Sequence, residues 1–292
     1  MRKYLRRAAW GLAGGAIFAS LGLSANAAGV TNVDVKLVIA TDVSRSINDE
    51  EALVQRQGTA EAFLNEEVVK AIQSGALGRI AVSMLDFSSP EYGRVVLDWH
   101  IINNKATAAA FAEKIRNSAR TPGRRTSISS ALELGTLLIQ GSDADIRATR
   151  KVIDVSGDGP NNDGNSMQEA HDKTIAAGII VNGLPVMDDN ANGYYPELDK
   201  YYAGCVVGGR GAFVVVVRSF RDFGAAMRHK LILEVSQNES QIRQVLNEME
   251  QNRAIKRIAA GPGAPSGPEV LRPGQNEYSK NCDRNGFGYG GF

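Results

Sequence analysis

Apolar positions in this chain fall into short β-branched runs separated by stretches of helical spacing. Residues 33–41 (VDVKLVIAT) are nearly continuous in apolar character, as a buried parallel strand requires. Residues 48–73 read as one helix, with Asn48 as cap, Glu51 three positions on, and Leu53, Ala60, Phe63, Leu64 and Ile72 as its inward stripe. Residues 79–87 and 93–102 read as strands joined by the short link 88–92, so they should pair antiparallel with one at the sheet edge. Helices are expected over 106–117, 127–140, 166–177, 196–202 and 220–235, and strands over 151–156, 179–186 and 212–217. Strands alternating with single helices predict a doubly wound, mostly parallel α/β sheet with one antiparallel edge strand and helices on both faces. A weaker stripe, Ile242, Val245, Leu246 and Met249, marks a loosely packed or exposed helix over 239–258, and the Gly/Pro-rich stretch 261–292 reads as a tail without a core. The expected organisation is thus an export signal over 1–27, a main domain over 28–236, a helical extension over 237–260, and the tail.

The N-terminus changes the cellular picture. Arg2, Lys3, Arg6 and Arg7 precede an apolar stretch over 8–23, and Ala25-Asn26-Ala27 forms a small-x-small cleavage box. This order reads as a secretory signal cut after Ala27. The stretch is too short and too rich in Gly and Ala to favour a span of about 30 Å of hydrocarbon. Removing four bases and no acids takes the formal charge from +1 to −3. Such a chain lacks the basic excess that nucleic-acid binding calls for. The expected address is the periplasm or the exterior, with no stable membrane span. Cys205 and Cys282 are the two cysteines, and an even count in an oxidising compartment favours a disulfide tethering the tail.

Candidate chemistry lies where the strands end. In an open α/β sheet, ligands bind beyond the carboxyl ends of strands. The first strand runs directly into Asp42-Val43-Ser44-Arg45-Ser46, where alternate side chains can aim a carboxylate and two hydroxyls at one point. Hard divalent cations favour such oxygens. Thr126 stands at the mouth of a helix, and Asp158 directly follows the strand KVIDVS. Together, D-x-S-x-S, the later threonine and the Asp-Gly resemble the metal-ion-dependent adhesion site of von Willebrand factor type A domains. The element order over about 33–235 is similar to that fold. VIDVSGDGPNNDG, NGLP and CVVGG resemble an uncharacterised group of exported bacterial proteins with the same fold. The resemblance implies that Asp42, Ser44, Ser46, Thr126 and Asp158 bind a divalent cation, Mg²⁺ first, with Ca²⁺ or Mn²⁺ as alternatives. Three hydroxyls and two carboxylates leave at least one position of a six-coordinate ion open, and a carboxylate of a protein partner is the favoured visitor there.

Other chemistries fit less well. A dehalogenase-type phosphatase needs a second aspartate where Ser44 stands, and Gly-x-Ser-x-Gly, a Walker loop and Gly-x-Gly-x-x-Gly are absent. An EF-hand counted from Asn161 would need Gly and Glu where Ser166 and Asp172 stand. His100, His171 and His229 fall on a strand and two helices away from the expected metal end, so a binding role is favoured over catalysis. A hydrolase using the ion as Lewis acid and a purely structural metal are the alternatives. Asp86 and Asp154 within strands read as strand-end positions or partners of nearby loops. Arg124 and Arg125 could attract an acidic partner. The stretches 187–189 and 194–196 are the expected specificity surface.

Overall fold

In β1 (Thr31–Asp42), every side chain from Val33 onward is buried, so the strand must be covered on both faces. The computed structural model describes residues 29–188, 195–236, 239–260, 269–273 and 281–283. The expected signal over 1–27 and most of the tail lie outside these residues. β1 lies in a seven-stranded sheet with β2 (Ile80–Phe87), β3 (Arg94–Ile102), β4 (Ile146–Gly157), β5 (Ile180–Pro185), β6 (Val214–Val216) and β7 (Glu269–Leu271). Their order is β3-β2-β1-β4-β5-β6-β7. β2, β1, β4, β5 and β6 run parallel, and β3 pairs antiparallel with β2 as its short link predicts. β7 adds an antiparallel strand at the opposite edge, from a segment read as coreless tail.

One face packs on α1 (Asp49–Leu64), α2 (Glu66–Gln73), α3 (Lys105–Asn117) and α7 (Phe223–Val235). The other packs on α4 (Ile128–Gly141), α5 (Met167–Ala176) and the short α6 (Leu198–Tyr201), which runs into a π-helical turn, Tyr202–Val206. α8 (Glu239–Ala260) follows α7, and its Val245 and Met249 are buried in the first core, so a narrow stripe does pack.

Residues 48–73 depart from the sequence expectation in two ways. Residues 48–73 form two helices, because Asn65 ends α1 and caps α2 through its side chain. The inward face of α1 is also more polar than its apolar stripe indicated. Leu53 and Leu64 are exposed, whereas Gln55, Arg56, Gly58 and Thr59 are buried. Gly58 lets α1 approach α7, since a Cβ there would lie 2.9 Å from Gly224 Cα.

The buried polar positions explain the strand aspartates. Asp86 does lie next to the end of β2, but neither it nor Asp154 is bound to a loop; both are 0 % exposed and ion-paired to helices. Arg56 Nη2 donates to both Asp86 oxygens at 2.6 Å. Burial nonetheless holds the Asp86 carboxyl above its ordinary value. Lys230 on α7 reaches Asp154 at 2.9 Å and Glu234 at 2.6 Å. Burial first, then Glu234, push the Asp154 carboxyl up to about 7. Sheet and helices are therefore keyed together by charge as well as by apolar packing.

Candidate metal centre

The five expected ligands converge at the carboxyl end of the sheet. β1 ends at Asp42, and β4 ends one residue before Asp158. Backbone bonds lock the intervening loops: Val43 N donates to Phe87 O, Gly123 N to Val43 O, Ser127 N to Ser88 O, and Val186 N to Gly157 O. Gly123 is needed for this closure, because a Cβ there would meet Ser88 Oγ at 2.0 Å.

A continuous polar chain links the side chains. Thr126 Oγ1 donates to Asp42 Oδ2 at 3.4 Å, and Asp42 Oδ1 accepts from Ser44 N at 2.8 Å. The Ser44 and Ser46 hydroxyls lie 3.1 Å apart, and Ser46 Oγ donates to Asp158 Oδ1 at 2.7 Å. Asp42, Ser44, Thr126 and Asp158 are buried, and Ser46 is half-buried.

The electrostatics are those of an uncompensated anionic pocket. Burial, reinforced by the Asp158 charge, raises the Asp42 carboxyl well above its ordinary value. Burial pushes Asp158 up to about 6, with Glu51 acting in the same direction and the Ser46 hydroxyl opposing it. No lysine or arginine among the described residues pairs with either carboxylate. Asp158 Oδ2 is buried without a hydrogen-bond partner. An oxygen-only set of two carboxylates and three hydroxyls, with an orphaned carboxylate oxygen, fits a hard divalent cation. Among the described residues no cluster of three or more His, Cys, Asp or Glu side chains forms.

Two supporting groups surround the candidate ligands. Asn162 Oδ1 accepts from Thr126 N at 2.9 Å, while Asn162 N donates to Thr126 O at 2.9 Å. Asn161 Oδ1 accepts from Ser129 N at 2.9 Å, and Asn161 N donates to the Tyr201 hydroxyl at 3.3 Å. The asparagines thus shape the loop beside Asp158. The tyrosine pair was not anticipated. Tyr202 is fully buried, and its hydroxyl has no hydrogen-bond partner. Burial, then Asp42 and Asp158, hold the Tyr202 phenol well above its ordinary value. A Cβ on Gly157 would touch Asp42 Oδ2 at 2.9 Å and the Tyr202 hydroxyl at 3.1 Å.

On the rim, Arg45, Arg124 and Arg125 are exposed. Gly159 sits between the Tyr195 ring and the Thr126 hydroxyl, which a Cβ there would approach at 3.5 and 3.6 Å. Of the expected specificity surface, Met187 is instead a core residue, 3 % exposed. Residues 189 and 194 lie outside the described residues. The histidines stand elsewhere: His100 beside Lys114, His171 beside Asp172, and His229 against Arg228. Cys205 and Cys282 are joined, with a Cα separation of 5.6 Å.

With that geometry, the fold is of the von Willebrand factor type A kind. The chain belongs to the DUF1194 family, described as a protein of unknown function, whose model matches residues 32–239. Among curated proteins, none matches. Proximal thread matrix protein 1 from the mussel byssus aligns with TM-score 0.51 and 18% identity, covering 70% of this chain and 49% of its own. A form of that mussel protein with a zinc-occupied MIDAS motif aligns with TM-score 0.49 and 19% identity, covering 70% of this chain and 48% of its own. The pilus adhesin SpaC from Lactobacillus rhamnosus GG aligns with TM-score 0.51 and 14% identity, covering 70% of this chain and 31% of its own. A von Willebrand factor type A protein from Catenulispora acidiphila gives 0.47 and 13%, covering 69% of this chain and 42% of its own. The chain therefore spans about half the length of the mussel protein and under a third of the adhesin.

Proposed function

We propose that this domain is a metal-dependent protein-binding module of an exported protein, in which a divalent cation grips an acidic group of a partner. The observation that carries the reading is the convergence of Asp42, Ser44, Ser46, Thr126 and Asp158 into one bonded chain that ends on an unpaired carboxylate oxygen. These five residues would hold the ion, with Mg²⁺ the first choice and Ca²⁺ or Mn²⁺ the alternatives. When bound, the ion supplies a Lewis-acidic position for a carboxylate oxygen. The protein's own contribution is placement: Asn162 fixes Thr126, and Ser46 orients Asp158. Exposed Arg45, Arg124 and Arg125 favour an acidic partner by long-range attraction. One coordination bond replaces a water, so rim contacts such as Tyr195 must supply most of the affinity.

The site is a grip and not a catalytic centre in this reading, and the compartment is the periplasm or exterior. The Cys205–Cys282 bond suits an oxidising compartment, and no helix among the described residues is long and apolar enough to cross a membrane. The test is capture of partners from a native periplasmic extract with and without EDTA, alongside Asp42→Ala. Partner loss with chelator and with the folded variant supports the grip; a partner retained under both conditions refutes it. Turnover of phosphate, ester or peptide substrates with added Mg²⁺ would overturn the non-catalytic part.

A further inference from the structure

The C-terminal segment is anchored at two places, and the second bears on the metal loop. β7 pairs with β6, and Glu269 meets Arg253 at 2.8 Å and Arg218 at 3.8 Å. Farther on, Cys282 is bonded to Cys205, 77 positions earlier. The next residue, Asp283, sits on the start of α5. Its Oδ1 accepts from Met167 N at 2.7 Å and Gln168 N at 3.3 Å, and its Oδ2 accepts from Ser166 Oγ at 2.8 Å. A carboxylate there satisfies exposed amides and complements the helix dipole.

Both partners of the disulfide lead back to the ion site. The α5 start that Asp283 caps is the far end of the loop that begins at Asp158 and carries Asn161 and Asn162. Cys205 belongs to the π-helical turn Tyr202–Val206, a geometry frequent at functional sites. Tyr201, just before that turn, accepts Asn161 N through its hydroxyl. The Tyr202 ring packs so closely on Gly183 that a Cβ there would lie 2.6 Å away, and its unpartnered hydroxyl faces the Asp42 side of the pocket. The metal loop is thus held from one end by Asp283 and from beneath by the tyrosine turn, and one covalent bond joins the two supports.

We propose that this C-terminal strap is a positioning device for the metal centre: the Cys205–Cys282 bond and Asp283 fix the loop from Asp158 to Ser166, so ion affinity depends on residues that never touch the ion. The proposal rests on the metal-site reading above. The test titrates Mg²⁺ and Mn²⁺ by calorimetry into the full chain, its Cys205→Ser/Cys282→Ser double variant, Asp283→Ala and Glu269→Ala. Amide exchange over residues 159–168 is followed in the ion-free proteins. The double variant and Asp283→Ala should each bind about fivefold more weakly, the scale of one lost helix cap, and exchange faster across that loop. Glu269→Ala loosens the β7 anchor alone and should keep wild-type affinity.

Unchanged affinity in folded Asp283→Ala and the double variant overturns the proposal. So does an equal loss in Glu269→Ala, which would make the effect one of general stability. If the double variant does not fold, Asp283→Ala decides alone. If the wild-type chain takes up neither ion, the metal-dependent function fails, and loop exchange still judges the strap: no change over 159–168 refutes it.

Discussion

Replacing Asp158 with Asn should destroy ion binding and yet make the ion-free protein more stable. In the folded chain Asp158 is 3 % exposed, and burial pushes its carboxyl from the ordinary 3.8 up to about 6. Its ionised form is therefore disfavoured by folding. The gap corresponds to about 3 kcal/mol at neutral pH. Asn is neutral, keeps an oxygen to accept the Ser46 hydroxyl, and removes the charge that helps to raise Asp42. Full relief would lift the melting temperature by about 6–12 °C for a domain of this size. The sign follows from proton linkage. A carboxyl that binds its proton more tightly when folded contributes stability present below the unfolded value near 3.8 and lost as pH rises through about 6. Wild-type protein in chelator should therefore melt higher at pH 5 than at pH 7.5, and Asp158→Asn should show less of that slope. Saturating Mg²⁺ should stabilise the wild type at pH 7.5 and leave the variant unmoved. Scanning calorimetry of both proteins, with EDTA and with Mg²⁺, reads all of this. A variant that melts at or below the wild type in EDTA at pH 7.5 would refute the account of an uncompensated pocket.

Two further outcomes follow from the surrounding contacts. Arg56→Leu leaves Asp86 buried with Arg94 at 3.8 Å and the more distant Arg120 charge, and should cost about 3–5 kcal/mol in denaturant unfolding; pairing it with Asp86→Asn should recover part of the loss, and a wild-type midpoint for the single variant would show the ion pair to be dispensable. Asn162→Ala removes the acceptor for Thr126 N at 2.9 Å and should weaken Mg²⁺ binding about fivefold, one hydrogen bond's worth; identical calorimetric titrations would mean that Thr126 needs no such support.

The main sheet and the convergence of the five polar side chains at its carboxyl end were legible because both follow from local pattern. Residues 33–41 are nearly continuous in apolar character, broken by Asp34 and Lys36, and a buried parallel strand admits few other readings. Asp42 and Asp158 come directly after such strands, so the sheet alone places them at its carboxyl end. What escaped depends on partners distant in sequence. The buried place of Arg56 on α1 is not readable from the helix itself, because its partner Asp86 is 30 residues away. The 48–73 helix breaks at Asn65 because one side chain that caps the second helix also permits the first to end, a choice that periodicity does not encode. Tyr201 and Tyr202 had no motif to announce them. β7 and Asp283 sit in a Gly/Pro-rich stretch whose composition carries no core signal, yet β6 and α5 each offered an unfilled set of backbone partners.

The same contacts decide what kind of metal centre the proposed site would be. Its donors come from three separate segments, and a cation that had to gather them would lose affinity to the ordering of each loop. Here the loops are fixed without it: Gly123 to Val43, Ser127 to Ser88, and Val186 to Gly157 by backbone bonds, and Asn162 to Thr126 by a reciprocal pair. What the pocket lacks is charge neutrality, since Asp42 and Asp158 are buried together without a basic partner among the described residues. The free energy available to an ion is therefore mostly electrostatic relief within a preformed cage. Such a cage should change little in shape on loading, so an ion-dependent partner would be recognising the completed coordination and its Arg and Tyr195 rim rather than a refolded surface.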